Sequence, residues 1–181
     1  MILDATAGNR TMWQTKKAED IIYIDIEKQL KIKPTIFADN TNTPFLSEIF
    51  DTIFYDPPHI IGKDDSDLLG IGKLRLKELK ATEHRLHTYY GLCYVQTVND
   101  MIKMLYHAQK EFKRILKQDG LLWLKWNEVN MPLKRIIRIF TDWTVLMEIN
   151  VTDPTHTMGK AQTYWICLTK KEKEIMQTTL L

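Results

Sequence analysis

The chain has 181 residues, with 25 Lys and Arg against 23 Asp and Glu for a net charge of +2, and it is 44% apolar and 27% charged. That length suits one globular domain spanning 1–181 with a substantial core, and a charge this balanced demands no nucleic-acid partner by itself. Cys93 and Cys167 match no metal or redox spacing, no apolar run reaches the roughly 18 residues of a membrane span, and Met1–Asp4 lacks the layout of a signal peptide, so reduced thiols in a cytoplasmic protein are expected.

Met1 to Asp4 is a short apolar strand ending in an acid, followed by the small, turn-forming loop Ala5-Thr6-Ala7-Gly8-Asn9-Arg10-Thr11 and a helix expected to run to Glu19. Gly8 suits a turn that takes φ above zero or approaches a ligand closely. Ile21 to Asp25 is a continuous apolar run, as in a parallel strand buried on both faces, with a helix expected near Glu27. Thr35 to Asn40 reads as a third strand, ending in Asp39-Asn40. Thr52 to Tyr55 is β-branched and aromatic, and it stops at Asp56-Pro57-Pro58-His59, because proline has no N–H for a sheet. Asp4, Asp25, Asp39 and Asp56 thus end four successive strands. Each of these acids would also suit a turn or a helix cap on its own.

Residues 60–91 form a long segment directly after the fourth strand, where a substrate-facing insertion would sit. From Lys73 to Tyr90 it carries five positive charges against two negative ones. Lys73, Arg75, Arg85, His87, Tyr89 and Tyr90 offer the basic and aromatic mixture that phosphates and bases favour. The alternative is a solvated amphipathic helix with Leu74, Leu76 and Leu79 inward, and the two readings are compatible. Asn99 to Gln118 has helical spacing, with Asn99 as a possible cap and Gly120 past its end; His107 within it reads as a surface residue. Leu121 to Trp126 is a fifth strand that could bring Trp126 and Asn127 to a pocket, although buried packing explains the tryptophans at least as well. A helix opens at Pro132, and strands at Trp143–Val151 and Ala161–Leu168 would pair antiparallel for lack of a helix between them.

Asp56-Pro57-Pro58-His59 resembles the Asp-Pro-Pro-aromatic motif of the S-adenosylmethionine-dependent amino-methyltransferases, the adenine-N6 and cytosine-N4 DNA enzymes above all. Asp4, Gly8 and Thr11 resemble that family's first cofactor motif, in which Arg10 occupies a position usually held by glycine. The resemblance implies a Rossmann-like seven-stranded sheet with helices on both faces, mostly parallel, with an antiparallel pair at its C-terminal end. It implies S-adenosylmethionine as cofactor, with Asp25 holding the ribose hydroxyls, Asp39 and Asn40 at the adenine ring, and Ala5, Thr6, Asn9 and Ile26 completing the cofactor site. The Asp56 carboxylate and the Pro57 carbonyl would accept the two N–H bonds of the target amine, and His59 would stack on the base. Adenine N6 in DNA is the expected target; RNA amines and a protein glutamine amide are the alternatives, as is a non-catalytic cofactor-binding subunit. No metal is implied. A homodimer or partner subunit would supply the target recognition that a chain this short lacks. A nicotinamide enzyme fits poorly, since no Gly-x-Gly-x-x-Gly follows the first strand.

Overall fold

A computed structural model of the chain describes residues 1–59, 95, 97–151 and 161–172. Seven strands form one sheet: β1 (Ile2–Asp4), β2 (Ile21–Asp25), β3 (Ile36–Phe37), β4 (Phe50–Tyr55), β5 (Leu116–Asn127), β6 (Trp143–Asn150) and β7 (Thr163–Lys170). Their order is β3-β2-β1-β4-β5-β7-β6. The first five pair in parallel, and β7 lies antiparallel between β5 and β6. The expected antiparallel pair is therefore present, and it closes the sheet on the β6 edge.

The chain builds outward from β1 to β3, then crosses back to place β4 on the other side of β1. That reversal leaves a crevice beyond the carboxyl ends of β1 and β4, the place where open α/β sheets bind ligands. Helices α1 (Val98–Ile115) and α2 (Leu133–Ile137) both contribute to the main core. Met101, Leu105, Phe112 and Ile115 of α1 meet Ile53 and Tyr55 of β4 and Leu122, Leu124 and Trp126 of β5, all fully buried. Tyr55 and Phe112 rings meet edge to face at 4.8 Å. Each such side chain contributes on the order of 1.5–3 kcal/mol by leaving water. Glu111, buried on α1, is held by Arg114 and by the backbone N–H and hydroxyl of Thr43 at 2.9 and 2.6 Å.

Several expected boundaries moved. No helix forms between Thr11 and Glu19; the segment is a run of turns. Arg10 takes a left-handed φ of 54°, which stops helix propagation, and side chains of Arg10 and Lys16 occupy carbonyls at positions 10, 13 and 16 that a helix would use internally. The helix near Glu27 is replaced by two turns closed by side-chain carboxylates, in which Asp25 accepts the Glu27 N–H and Glu27 accepts that of Gln29. The strand expected to reach Asn40 stops at Phe37. The cap of α1 is Thr97 instead of Asn99, reciprocated by Asp100 in a capping box. That helix runs straight into β5, with a register shift against β4 between Phe50↔Leu116 and Thr52↔Leu121. Gly120 sits in this excursion because a Cβ there would lie 2.6 Å from Leu116 Cγ and 3.0 Å from the Asp51 carbonyl. Among the described residues no helix is long and apolar enough to cross a membrane. The expected basic insertion and Cys93 lie outside the described residues; Cys167 is buried and free.

Candidate active site

The loop after β1 is organised from below by Asp4, which is only 1% exposed. Its carboxylate accepts the Thr6 N–H at 3.1 Å and the Trp13 indole N–H at 2.7 Å. Burial pushes the Asp4 carboxyl up to about 6 against the pull of these two donors, and the charges of Asp56 and Asp25 add to the rise. Gly8 takes a φ of 48°, and its N–H donates to Asp25 Oδ2 at 2.8 Å, while Asp25 Oδ1 accepts the Glu27 N–H at 2.8 Å. The loop is tied to the chain beyond β2 by Asn9 Oδ1, which accepts the N–H groups of Lys31 and Ile32 at 2.9 and 3.2 Å. Arg10 carries its own left-handed conformation by compensation. Its guanidinium donates to the carbonyls of Lys16 and Lys33 at 2.5 and 2.9 Å and lies 3.8 Å from the Tyr23 ring centroid. A glycine in the resembled motif would reach the same φ without those contacts.

Across the crevice, Asp39 Oδ1 accepts the Thr41 N–H and hydroxyl at 2.8 and 2.7 Å, and the Asn40 amide donates to the Ala5 carbonyl at 3.2 Å. Asp56 emerges from β4 with its N–H donated to Thr6 Oγ at 2.7 Å and its Oδ2 2.8 Å from Lys125 Nζ. His59 meets Trp126 edge to face at 6.4 Å. Burial holds its imidazole below the usual histidine range, opposed by the Asp56 charge and by a hydrogen bond to the Pro57 backbone.

These elements enclose a cleft of about 810 Å³ lined by Ala5, Thr6, Gly8, Asn9, Thr11, Asp25, Ile26, Asp39, Asn40, Asp56, Pro57, Pro58 and His59. Asp4 is absent from that lining and acts from beneath, on the loop. Trp126 and Asn127 do not reach the cleft. The alternation of β5 turns Trp126 into the core, where its N–H donates to the Met131 carbonyl at 2.9 Å, and Asn127 donates to Thr163 at 2.7 Å. Sequence reasoning missed Lys125, and it missed the wall that α1 supplies through Asp100, Lys103 and Met104. His107, read as a surface residue, is exposed and belongs to that wall. The signal for Lys125 was a lone charge near the end of an apolar strand, legible only with β4 and β5 in register. Lys73, Arg75, Arg85, His87, Tyr89 and Tyr90 lie outside the described residues. Among the described residues no cluster of three or more potential ligands could hold a metal ion.

A cleft of this size suits a nucleoside-sized ligand. Each Asp25 oxygen, having accepted one backbone N–H, keeps a lone pair for a hydroxyl. A Cβ at Gly8 would meet nothing within 4 Å, so the turn opens onto free space. The residues present therefore fit S-adenosylmethionine.

The strand order and the cleft at its reversal are those of Rossmann-like methyltransferases. In solved structures the fold resembles a putative type 11 methyltransferase from Sulfolobus solfataricus (TM-score 0.52, 16% identity, covering 96% of this chain and 85% of that one). It also resembles the PH0226 protein from Pyrococcus horikoshii OT3 (0.57, 10%, 94% and 81%) and geranyl diphosphate methyltransferase in complex with SAM (0.54, 10%, 94% and 77%). No curated protein matches the chain by sequence. A family model described as DNA methylase, of the N6/N4 methyltransferase type, matches residues 50–178, and the chain belongs to that family. It is an S-adenosylmethionine-dependent methyltransferase.

Proposed function

We propose that this methyltransferase modifies an exocyclic amino group of a nucleic-acid base, adenine N6 in DNA. The observation that carries the reading is the placement of Asp56-Pro57-Pro58-His59 in one cleft with Gly8, Asp25 and Asp39. The bound cofactor supplies an electrophilic methyl group on a sulfonium. Asp56 and the Pro57 carbonyl accept the two amine N–H bonds, which holds the nitrogen lone pair along the line of transfer; the contribution is orientation and preorganised charge. His59, kept neutral by burial, offers a flat face to the base without adding a positive charge beside the sulfonium. Lys73, Arg75, Arg85, His87, Tyr89 and Tyr90 are proposed to contact the nucleic acid, which presents the target base flipped out of its stack. The family's description as DNA methylase favours DNA over RNA or protein.

The test is transfer of a labelled methyl group to duplex DNA, single-stranded DNA, RNA and protein, with the product identified by mass spectrometry. N6-methyladenine in DNA is expected. Transfer only to RNA or protein would overturn the substrate, and no transfer to any amine would overturn the catalytic reading.

A further inference from the structure

Among the described residues, Lys125 is the one group in contact with the Asp56 carboxylate that the roles above leave unused. The parallel register pairs Tyr55 with Leu124, so the next residues, Asp56 and Lys125, emerge side by side at the carboxyl ends of β4 and β5. Leu122, Leu124 and Trp126 alternate into the core, which turns Lys125 to the opposite face of the strand and into the cleft lining. Lys125 Nζ lies 2.8 Å from Asp56 Oδ2, and the two side chains are 33% and 27% exposed. Partial burial on both sides keeps this pair from the full screening that makes surface ion pairs weak. Asp56 Oδ1 has no hydrogen-bond partner among the described residues.

The backbone of Asp56 is fixed separately, by the N–H donated to Thr6 Oγ at 2.7 Å, and Thr6 is itself fixed by its N–H to Asp4. Thus Asp56 is gripped at two points: its main chain by the cofactor loop, and one carboxylate oxygen by β5. A free aspartate rotates about χ1 and χ2, and both oxygens compete for any donor. With Oδ2 held by Lys125, the carboxylate plane is set, and Oδ1, which accepts no donor among the described residues, is the oxygen turned to an incoming N–H. An ammonium has three donors and no acceptor, so Lys125 cannot take a proton from the amine. Its part is geometric and electrostatic, and the nearby carboxylates Asp4 and Asp25 make a fixed counter-charge at this point useful.

We infer that Lys125 is a positioning residue for methyl transfer: it clamps Asp56 Oδ2 so that Oδ1 is presented to the substrate amine. The inference rests on the proposed amine methylation. The test compares wild type with Lys125→Met, Lys125→Gln and Lys125→Arg by single-turnover methyl transfer at saturating substrate, alongside S-adenosylmethionine and substrate dissociation constants and thermal midpoints. For Lys125→Met the transfer rate should fall on the order of 10- to 100-fold, the scale of a misplaced catalytic group, with both dissociation constants within about twofold. Lys125→Gln, which keeps a neutral donor one bond shorter, should fall less than Met, and Lys125→Arg should recover most of the rate. A residue needed only for folding would lower the midpoint and both affinities together and would not distinguish Arg from Met. Active wild type with an equally active Lys125→Met protein overturns the inference alone, as does an Arg variant no better than Met at equal affinities. Wild type that methylates no amine overturns the proposed function and this inference with it.

Discussion

Asp4→Asn converts the buried acid under the cofactor loop into a group that does not titrate. The Asp4 carboxyl is raised from 3.8 to about 6, burial being the largest cause. Its folded value lies above its unfolded one, so the stability it contributes is fully present below about 3.8 and is lost as pH rises through about 6. At about 1.4 kcal/mol for each tenfold change in proton affinity, that rise makes the ionised Asp4 cost about 3 kcal/mol at neutral pH. Of this, about 2 kcal/mol should be recovered by wild type between roughly pH 7.5 and 4.5. The asparagine side chain would keep one acceptor for the Thr6 N–H or the Trp13 indole and carry no such dependence. Thermal or urea unfolding of both proteins across that range should therefore show wild type gaining on the variant as pH falls, by roughly 4–8 °C in midpoint for a chain of this size. Comparing the two proteins cancels the titrating groups that do not interact with Asp4, leaving Asp4 with its weaker coupling to Asp56 and Asp25. A difference that stays flat with pH, or that moves against wild type on acidification, would refute the account of Asp4 as a carboxylate held ionised against its burial.

Asp25→Ala should weaken S-adenosylmethionine binding by about 10- to 100-fold, the loss expected for hydrogen bonds to a charged acceptor, as read by calorimetry. Glu111→Ala should lower stability by about 2–4 kcal/mol, because it strands the buried Thr43 N–H and hydroxyl and removes the ion pair to Arg114, measurable by urea unfolding. Gly120→Ala should cost about 1–3 kcal/mol by forcing Leu116 and the Asp51 carbonyl apart, whereas Gly8→Ala meets no atoms and should cost only about 1–2 kcal/mol of backbone strain. Replacing Lys73 and Arg75 together by Ala should reduce the salt dependence of DNA binding by about 1–2 phosphate equivalents in a fluorescence titration.

The cleft was legible in the sequence wherever a strand and its stop signal are local. The apolar run Ile21 to Asp25 and the prolines after Asp56 mark strand ends within a few residues, and four acids at such ends define one side of a sheet. What was hidden depends on distant partners. Arg10 breaks the expected helix because it reaches the Lys33 carbonyl and the Tyr23 ring, contacts that exist only after β2 is in place. The turn at Asp25 displaces a helix because Asn9 takes the N–H groups of Lys31 and Ile32, which lie 22 and 23 residues further on. Lys125 and the wall from α1 join the site through sheet register and helix packing, and no local pattern announces either. Of the two places the sequence offered Trp126, pocket or core, the core is the one it takes: Leu122, Leu124 and Trp126 share one face of β5, and that face is buried.

In the proposed mechanism the cofactor and the target amine are held by different aspartates of one cleft. That division of roles is tested most directly by measuring S-adenosylmethionine affinity and methyl transfer together in Asp56→Ala. Affinity within about threefold of wild type, with transfer reduced by on the order of 100-fold or more, is the result expected from removing a group that acts only on the reacting amine. Loss of cofactor affinity equal to that of Asp25→Ala, or transfer that survives the substitution, would contradict it.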